Sequence, residues 1–196
     1  MSRLLFGLLL LLGMSTPADA DERRTAIFAG GCFWCMQPPF DNAKGVVATE
    51  VGYTGGKGAN PTYAQVSTGT TGHYEAIRVT YDPKRIAYAE LLEIFWHNID
   101  PTDGNGQFAD RGSQYHTAVF VNNAEERRLA EESKAKLAAS GKFVRPIITP
   151  ILPAAPFYAA EEYHQGFYRK ESGHYQRYKK GSGRADFIER HWPEQH

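Results

Sequence analysis

Residues 25–41 read TAIFAGGCFWCMQPPFD and contain both cysteines of the 196-residue chain, Cys32 and Cys35. The apolar run at residues 25–29 predicts a short buried strand. Residues 36–41 are predicted to form the first turns of a helix, since their two prolines are tolerated only near a helix start. Cys32 is therefore expected at a strand-to-helix junction, where free N–H groups and the helix dipole lower the pKa of a thiol. This placement predicts a nucleophilic Cys32.

Cys35 follows Cys32 by three residues, about one helical turn, on the same helix face. A sulfur oxidised at Cys32 could be met by Cys35 with little chain movement. The spacing also permits a structural disulfide, worth only roughly 2 kcal/mol because its loop is tiny, or a thioredoxin-like redox pair. A zinc site with His191 and His196 is disfavoured, because both histidines lie at the far end of the chain.

Two bulky aromatic residues, Phe33 and Trp34, stand between the cysteines. Such side chains are costly to leave at an exposed turn unless something apolar docks there. Packing in the core is the alternative role for both. The pair therefore predicts either an apolar binding pocket beside Cys32 or a buried anchor for the helix.

Composition separates the N-terminus from the rest of the chain. The net charge is zero and the hydrophobic fraction is 42%, so nothing indicates nucleic-acid binding. Arg3 precedes an apolar run at residues 4–12, and Ala18-Asp19-Ala20 has an A-x-A pattern. We predict a signal peptide at residues 1–20 and a single mature domain at residues 21–196. The mature protein is expected to be periplasmic or secreted, in an oxidising compartment and without membrane attachment.

Periodicity along the chain predicts an α+β fold. Further strands are predicted at residues 46–53, 73–81, 114–121 and 147–152, and helices at residues 88–97, 124–140 and 157–167, with a short helical turn at residues 62–67. The polar, aromatic tail from Glu171 is predicted to be ordered loop at best. The β-α-β-β-α-β order favours a ferredoxin-like two-layer sandwich with a mixed sheet, helices on one face and a C-terminal helix and coil extension.

The strand predicted at residues 73–81 carries an acidic residue on an apolar face. Alternate positions from Glu75 share one side of the strand, and the other members of that side are Ile77, Val79 and Tyr81. The apolar members direct this face toward the core, so Glu75 is expected to be buried with them.

Five motifs together resemble the peptide methionine sulfoxide reductase family, A type. They are GCFW at residues 31–34, GYTGG at 52–56, NPTY at 60–63, GHYEA at 72–76 and DRGSQY at 110–115. The resemblance runs from about residue 25 to about residue 168, and the motifs keep the family's order. It implies reduction of the S epimer of methionine sulfoxide, free or in peptides and proteins, with no metal and no bound organic cofactor.

The resemblance implies a catalytic role for five residues. Cys32 is the nucleophile and Glu75 the acid, while Tyr63 and Tyr115 donate hydrogen bonds to the sulfoxide oxygen and Asp110 belongs to the same site. A sulfoxide sulfur is a poor electrophile until its oxygen is hydrogen-bonded or protonated. Glu75 must therefore carry a proton near neutral pH, which burial favours. The alternative for Glu75 is a buried ion pair with an arginine.

The resemblance also implies that Phe33 and Trp34 form the pocket for the substrate's S-methyl group. Many family members take a second, resolving cysteine from a Gly-rich C-terminal tail, but no cysteine follows Gly181-Ser182-Gly183 here. We infer that Cys35 resolves a Cys32 sulfenic acid as a disulfide. The family-level expectation is a thioredoxin-like exported reductant, with the enzyme acting as a monomer.

Two other functions compete with this interpretation. A general thiol–disulfide oxidoreductase would use Cys32 and Cys35 with Thr149-Pro150 beside them, but would leave Glu75 and the tyrosines without a role. A non-enzymatic secreted binding domain would keep a structural disulfide and bind an apolar peptide residue at Phe33 and Trp34.

Overall fold

The computed structural model describes residues 22–193, so the signal peptide predicted at residues 1–20 and the candidate zinc ligand His196 lie outside the described residues. Within that range no helix is both long and apolar enough to cross a membrane. The strands are, in chain order, β1 (Arg24–Gly30), β2 (Val46–Thr54), β3 (Tyr74–Tyr81), β4 (Gly106–Gln107), β5 (Asp110–Arg111), β6 (Thr117–Val121), β7 (Ile151–Pro153) and β8 (Phe157–Ala159).

The main sheet has the spatial order β7-β6-β1-β3-β2-β8. Its four central strands, β6, β1, β3 and β2, are antiparallel to one another, with β3 lying between β1 and β2. This is the split β-α-β arrangement of a ferredoxin-like sandwich. At the edges, β7 runs parallel to β6 and β8 antiparallel to β2, so the sheet is mixed. The predicted α+β fold is confirmed.

Three of the helices cover one face of this sheet and form the main core with it. The helices are α1 (Phe33–Asp41), α2 (Tyr63–Val66), α3 (Tyr88–His97), α4 (Ala124–Ala139), α5 (Phe167–Lys170), α6 (Ser172–Gly181) and α7 (Arg184–His191). Side chains of α1 and α3 contact Phe28 of β1, whose ring stacks on Phe40 at 5.3 Å between centroids. Burying a side chain of this size contributes about 1.5–3 kcal/mol. The contact holds α1 against the end of β1, where the cysteines lie.

The central elements agree with the sequence patterns. The helix predicted at residues 88–97 is α3, and the N-cap of α4 is Asn123, whose Oδ1 accepts a hydrogen bond from the Glu126 amide at 2.9 Å. The strand predicted at residues 114–121 is shorter, because a 3₁₀ turn at Ser113–Tyr115 precedes β6. The last predicted strand, at residues 147–152, is reduced to β7.

The predicted helix at residues 157–167 is wrong. Its first three residues form β8, which pairs with β2, and α5 begins only after Gly166, whose φ is +62°. Ala and Glu favour a helix there, but tertiary hydrogen bonds hold another conformation. Gln165 pairs with the backbone of Val51 in both directions, and Glu161 Oε2 accepts from the Tyr53 hydroxyl at 2.8 Å.

The prediction of a loop from Glu171 is also wrong, since α6 and α7 occupy most of that tail. Each helix buries only one or two side chains instead of an apolar stripe. Tyr175 of α6 is buried beside Cys35, and Arg184 and Ile188 of α7 are buried as well. Both helices are polar overall, and contacts with the rest of the fold stabilise them.

Candidate active site

The two cysteines lie where β1 passes into α1. Gly31 turns the chain with a φ of +79°, and a Cβ there would lie 2.5 Å from the Cβ of Gln107, so only glycine fits. Cys32 is the N-cap residue of α1, and the Cys35 amide donates to the Cys32 carbonyl at 3.0 Å. The predicted strand-to-helix placement of Cys32 is confirmed.

Both cysteines are free thiols and are buried, Cys32 being 6% exposed. Burial holds the pKa of Cys32 well above its ordinary value, and its hydrogen bond to Cys35 and the nearby Glu75 and Asp110 add to this. The expectation of a lowered Cys32 pKa is wrong, because desolvation outweighs the helix terminus. The hydrogen bond from Cys32 instead lowers the pKa of Cys35.

Glu75 points from β3 toward the start of α1 and is 3% exposed. Its Oε2 accepts a hydrogen bond from the Phe33 amide at 3.1 Å, which leaves Oε1 to carry the proton. Burial raises the pKa of Glu75 to about 8, although the bond from Phe33 works in the opposite direction. The side chain is therefore mostly neutral at neutral pH. No arginine or lysine of the described residues forms an ion pair with it, in contrast to the alternative weighed above.

A cavity of about 190 Å³ opens beside the Cys32 thiol. Seven of the eight side chains that sequence reasoning selected line it, and Cys35, one helical turn deeper, does not. The lining residues are Cys32, Phe33, Trp34, Tyr63, Glu75, Asp110, Tyr115 and Tyr178. Residues far apart in the chain thus meet at one place.

Tyr63 and Tyr115 come from α2 and the 3₁₀ turn before β6, and both line the cavity. Burial raises the pKa of both phenols, so both remain protonated donors. The Tyr63 backbone is fixed by its amide, which donates to Glu161 Oε1 at 2.8 Å. The two hydroxyls can therefore bind an oxygen atom placed in the cavity.

The apolar wall of the cavity is held from behind by a histidine that the sequence did not reveal. The indole Nε1 of Trp34 donates to Nδ1 of His164 at 3.0 Å, and the Trp34 ring stacks on Phe167 at 3.8 Å. His164 is 1% exposed, also contacts the Phe33 ring at 5.0 Å, and has a pKa lowered by burial. The neutral ring accepts at Nδ1 and so carries its proton on Nε2. In the sequence, nothing but its position within a longer polar segment distinguishes His164.

Tyr178 is a second residue that sequence reasoning missed. It projects from α6 into the cavity, donates a hydrogen bond to Asp110 Oδ2 and also contacts Cys32. Burial raises the pKa of Asp110, while the bond from Tyr178 counteracts that rise. Nothing in the sequence indicated that the tail would reach the site.

The alternative uses of the cysteines find no support in the surrounding geometry. Among residues 22–193, no three His, Cys, Asp or Glu side chains cluster so as to hold a metal ion. His191 packs on the ring of Phe143 at 5.1 Å, at the end of α7. Thr149, expected near the cysteines in a general oxidoreductase, pairs instead with the Thr117 hydroxyl at 2.8 Å.

Known proteins resemble the chain over nearly its whole length. The family model of peptide methionine sulfoxide reductase matches residues 24–196. Peptide methionine sulfoxide reductase MsrA of Bacillus pumilus (strain SAFR-032) is 57% identical over 173 residues, covering 88% of this chain and 97% of that protein. Methionine sulfoxide reductase A of Corynebacterium diphtheriae is 34% identical with a TM-score of 0.68, covering 76% of each chain. Mxr1 from Saccharomyces cerevisiae in reduced form is 30% identical with a TM-score of 0.73, covering 79% of this chain and 88% of that one.

A buried thiol beside a protonated carboxylic acid, on an α+β sandwich, defines a thiol-dependent oxidoreductase. The family model and the relatives narrow this class. The chain belongs to the peptide methionine sulfoxide reductase family, A type, and is an enzyme, a peptide-methionine (S)-S-oxide reductase.

Proposed function

We propose that this enzyme binds methionine sulfoxide in the cavity beside Cys32 and transfers its oxygen to the Cys32 sulfur. The observation that carries this assignment is the neutral Glu75, whose pKa is about 8, next to a buried thiol in the same cavity. A charged carboxylate there would repel a thiolate and could not protonate oxygen. A neutral carboxylic acid can protonate the oxygen and does not repel a thiolate.

Substrate activation falls to the polar side of the cavity. The hydroxyls of Tyr63 and Tyr115 hold the sulfoxide oxygen, and Glu75 delivers its proton to that oxygen as the sulfur is attacked. The aligned donors stabilise charge that develops on oxygen in the transition state. General acid catalysis of this kind typically contributes about 10²–10⁴-fold.

The oxygen transfer balances without an external reductant. The Cys32 sulfur attacks the sulfoxide sulfur and passes its proton to Glu75, which replaces the proton given to oxygen. The S–O bond to the substrate then breaks as the oxygen moves to Cys32, methionine leaves as a thioether, and Cys32 is left as a sulfenic acid. The high resting pKa of Cys32 fits this order, since the thiol stays protonated until substrate arrives.

Substrate selection falls to the apolar side of the cavity. Phe33 and Trp34 line it next to Cys32, and the hydrogen bond to His164 fixes the orientation of the indole. A methyl group against these rings and an oxygen against the tyrosines leave one face of the sulfur toward Cys32. This arrangement would select the S epimer.

Cys35 then completes the chemistry on the protein. Its sulfur attacks the Cys32 sulfenic acid, the S–S bond forms, and hydroxide leaves with the Cys35 proton as water. The free thiols would be restored by a thioredoxin-like protein, because a dithiol partner can attack the disulfide and then release itself by forming its own.

Replacing each cysteine separately tests the scheme. Cys32→Ser should abolish methionine release in a folded protein. Cys35→Ser should release about one methionine per enzyme and then stop when a dithiol protein is the only reductant, while dithiothreitol rescues it. Mass spectrometry after one turnover should show loss of two hydrogens in the wild type and gain of one oxygen in Cys35→Ser. Turnover by Cys32→Ser, or a stable added oxygen on the wild type, would contradict the scheme.

The proposal includes export of the enzyme, with residues 1–20 as a cleaved signal peptide and residues 21–196 as one monomeric domain. The A-x-A pattern at residues 18–20 supports it, and an oxidising compartment would require a dedicated reductant. N-terminal sequencing of the cell-purified protein should begin at Asp21. An intact Met1 in a protein recovered with the cytoplasmic fraction would exclude export.

A further inference from the structure

The tail places a buried cation against the turn that leads from β1 into the segment with the two cysteines. Arg184, the first residue of α7, is 1% exposed. Its guanidinium donates to the carbonyl of Gly30 at 2.9 Å and to the carbonyl of Asn98, and lies 4.6 Å from the centre of the Phe108 ring. It also passes 3.0 Å from where a Cβ on Gly31 would stand. The charge thus sits against the turn that carries Cys32.

A buried charge normally has a partner of opposite charge. Among residues 22–193, no carboxylate lies within ion-pair distance of the guanidinium, although exposed arginines elsewhere form such pairs. A guanidinium stays protonated in proteins, and a buried charge without an opposite charge is costly. The two carbonyls and the Phe108 ring stabilise the guanidinium but do not neutralise it, so no negative charge of the described residues balances it.

The active site can supply the missing negative charge. Arg184 lowers the pKa of Cys35 and also that of Asp110 by its charge. Other charged and titratable groups face Cys35 from α1, β3, β5 and α6. They are Cys32, Glu75, Asp110, Tyr175 and Lys179. Lys179 is only partly buried, so solvent screens it more than Arg184.

We propose that Arg184 is a positioning residue that supplies the counter-charge for the Cys35 thiolate when Cys35 attacks the Cys32 sulfenic acid. In that step Cys35 gives up its proton, forms the S–S bond as the S–O bond of Cys32 breaks, and water leaves. Arg184 touches neither sulfur by hydrogen bond and acts through the charge it places behind α1. The inference rests on the proposed role of Cys35 as the resolving residue.

A thiolate titration tests this charge without any turnover. In a Cys32→Ser background, the midpoint of the ultraviolet absorbance of the Cys35 thiolate is the reference against which each Arg184 variant is compared. Arg184→Met should raise the midpoint by about one pH unit, a tenfold loss of thiolate at a fixed lower pH. Arg184→Lys, which keeps the charge, should restore it. Lys180→Met, which removes an exposed cation from the same tail, should not move it.

Single-turnover kinetics connect the titration to the reaction. With both cysteines present, Arg184→Met should slow disulfide formation about threefold at neutral pH, because greater nucleophilicity offsets part of the tenfold thiolate loss. Methionine release in the first step should change less. An unmoved Cys35 midpoint in folded Arg184→Met, or an equal shift in Arg184→Lys, would overturn the proposal. If Arg184→Met does not fold, Arg184→Gln, which keeps hydrogen-bond donors without the charge, replaces it, and an unmoved Cys35 midpoint in that variant overturns the proposal. If Cys35 titrates as expected but the Cys32 sulfenic acid persists, the resolving role of Cys35 is refuted. The effect of the Arg184 charge on the Cys35 thiol is then retained.

Discussion

The active site has two sides of different origin. The sheet side carries Cys32 at the end of β1, Glu75 on β3, and Asp110 and Tyr115 from the loop before β6. The tail side consists of residues 157–191 and supplies His164, Phe167, Tyr178 and Arg184. In the proposed mechanism the sheet side handles protons and oxygen, while the tail side orients rings and supplies hydrogen bonds and charge from behind.

The two sides also differ in how firmly the chain encodes them locally. Sheet-side groups occupy strand ends and turns. A few neighbouring residues specify these elements, through alternation of apolar and polar side chains, helix-start residues and glycines. Tail-side groups occupy short polar helices that form only against the rest of the molecule. The reactive groups are thus built on rigid elements, and the groups that tune them on elements with weak local preference. Three substitutions test this division.

The largest effect is expected for Glu75→Gln on the sheet side. Glutamine keeps the shape and can still accept the Phe33 amide, but it cannot deliver a proton. We expect the single-turnover rate of methionine release to fall about 10²–10⁴-fold. Glu50→Gln on the neighbouring strand, where Glu50 pairs with Arg78, should change this rate little. A wild-type rate in folded Glu75→Gln would make Glu75 a structural residue only.

The pH dependence of the free energy of unfolding should also reveal the buried, protonated Glu75. The folded pKa of Glu75, about 8, lies above the unfolded value of about 4.3. Stability from this group is therefore complete below the unfolded pKa and is lost as the pH rises through the folded pKa. Between about pH 5 and pH 8, the wild type should lose about 3–4 kcal/mol more unfolding free energy than Glu75→Gln. Parallel denaturant-derived curves for the two proteins would contradict the raised pKa.

A smaller effect is expected where the two sides meet, at Trp34. Trp34→Ala removes the indole that lines the cavity and stacks on Phe167. Losing an apolar contact to a methyl group is worth about 1–3 kcal/mol, so we expect KM to rise about tenfold or more while kcat changes less. Trp192→Ala, whose indole packs on His97 at 3.8 Å, is the control and should leave KM unchanged. An unaltered KM in folded Trp34→Ala would exclude a substrate pocket there.

The smallest effect is expected for the tail-side hydroxyl of Tyr178. Tyr178→Phe removes the hydrogen bond to Asp110 but keeps the ring against Trp34. A hydrogen bond to a charged group contributes about 1.5–3 kcal/mol in full, and partial replacement by water should limit the loss of kcat/KM to about tenfold. Tyr168→Phe removes a matching bond, to Asp41 Oδ2 at 2.7 Å, outside the cavity. If both variants lose activity equally, the tail contributes only through folding.

Sequence reasoning reached the sheet side because its signals are local. Two cysteines at a strand-to-helix junction, and one acidic residue on an apolar strand face, sufficed to select Cys32 and Glu75 for examination. The same reasoning misjudged the thiol of Cys32, because a helix start can be read from sequence and the degree of burial cannot. It missed His164 and Tyr178 because their role depends on where β8 and α6 dock. The helix prediction for residues 157–167 is wrong for the same reason, since the pairing of β8 with β2 overrode helix propensity.

The placement of Cys32 and Cys35 on successive turns of one short helix has a consequence for how the enzyme is recognised. Their amide–carbonyl bond of 3.0 Å already holds the two backbones in the reduced state. Closing a disulfide across them should therefore leave the outline of the molecule almost unchanged. A reductant would contact nearly the same surface on the disulfide form of the enzyme and on the reduced form. Reduced enzyme would then compete with the disulfide form for the reductant. The rate of methionine repair would depend on the ratio of these two forms as much as on the amount of either.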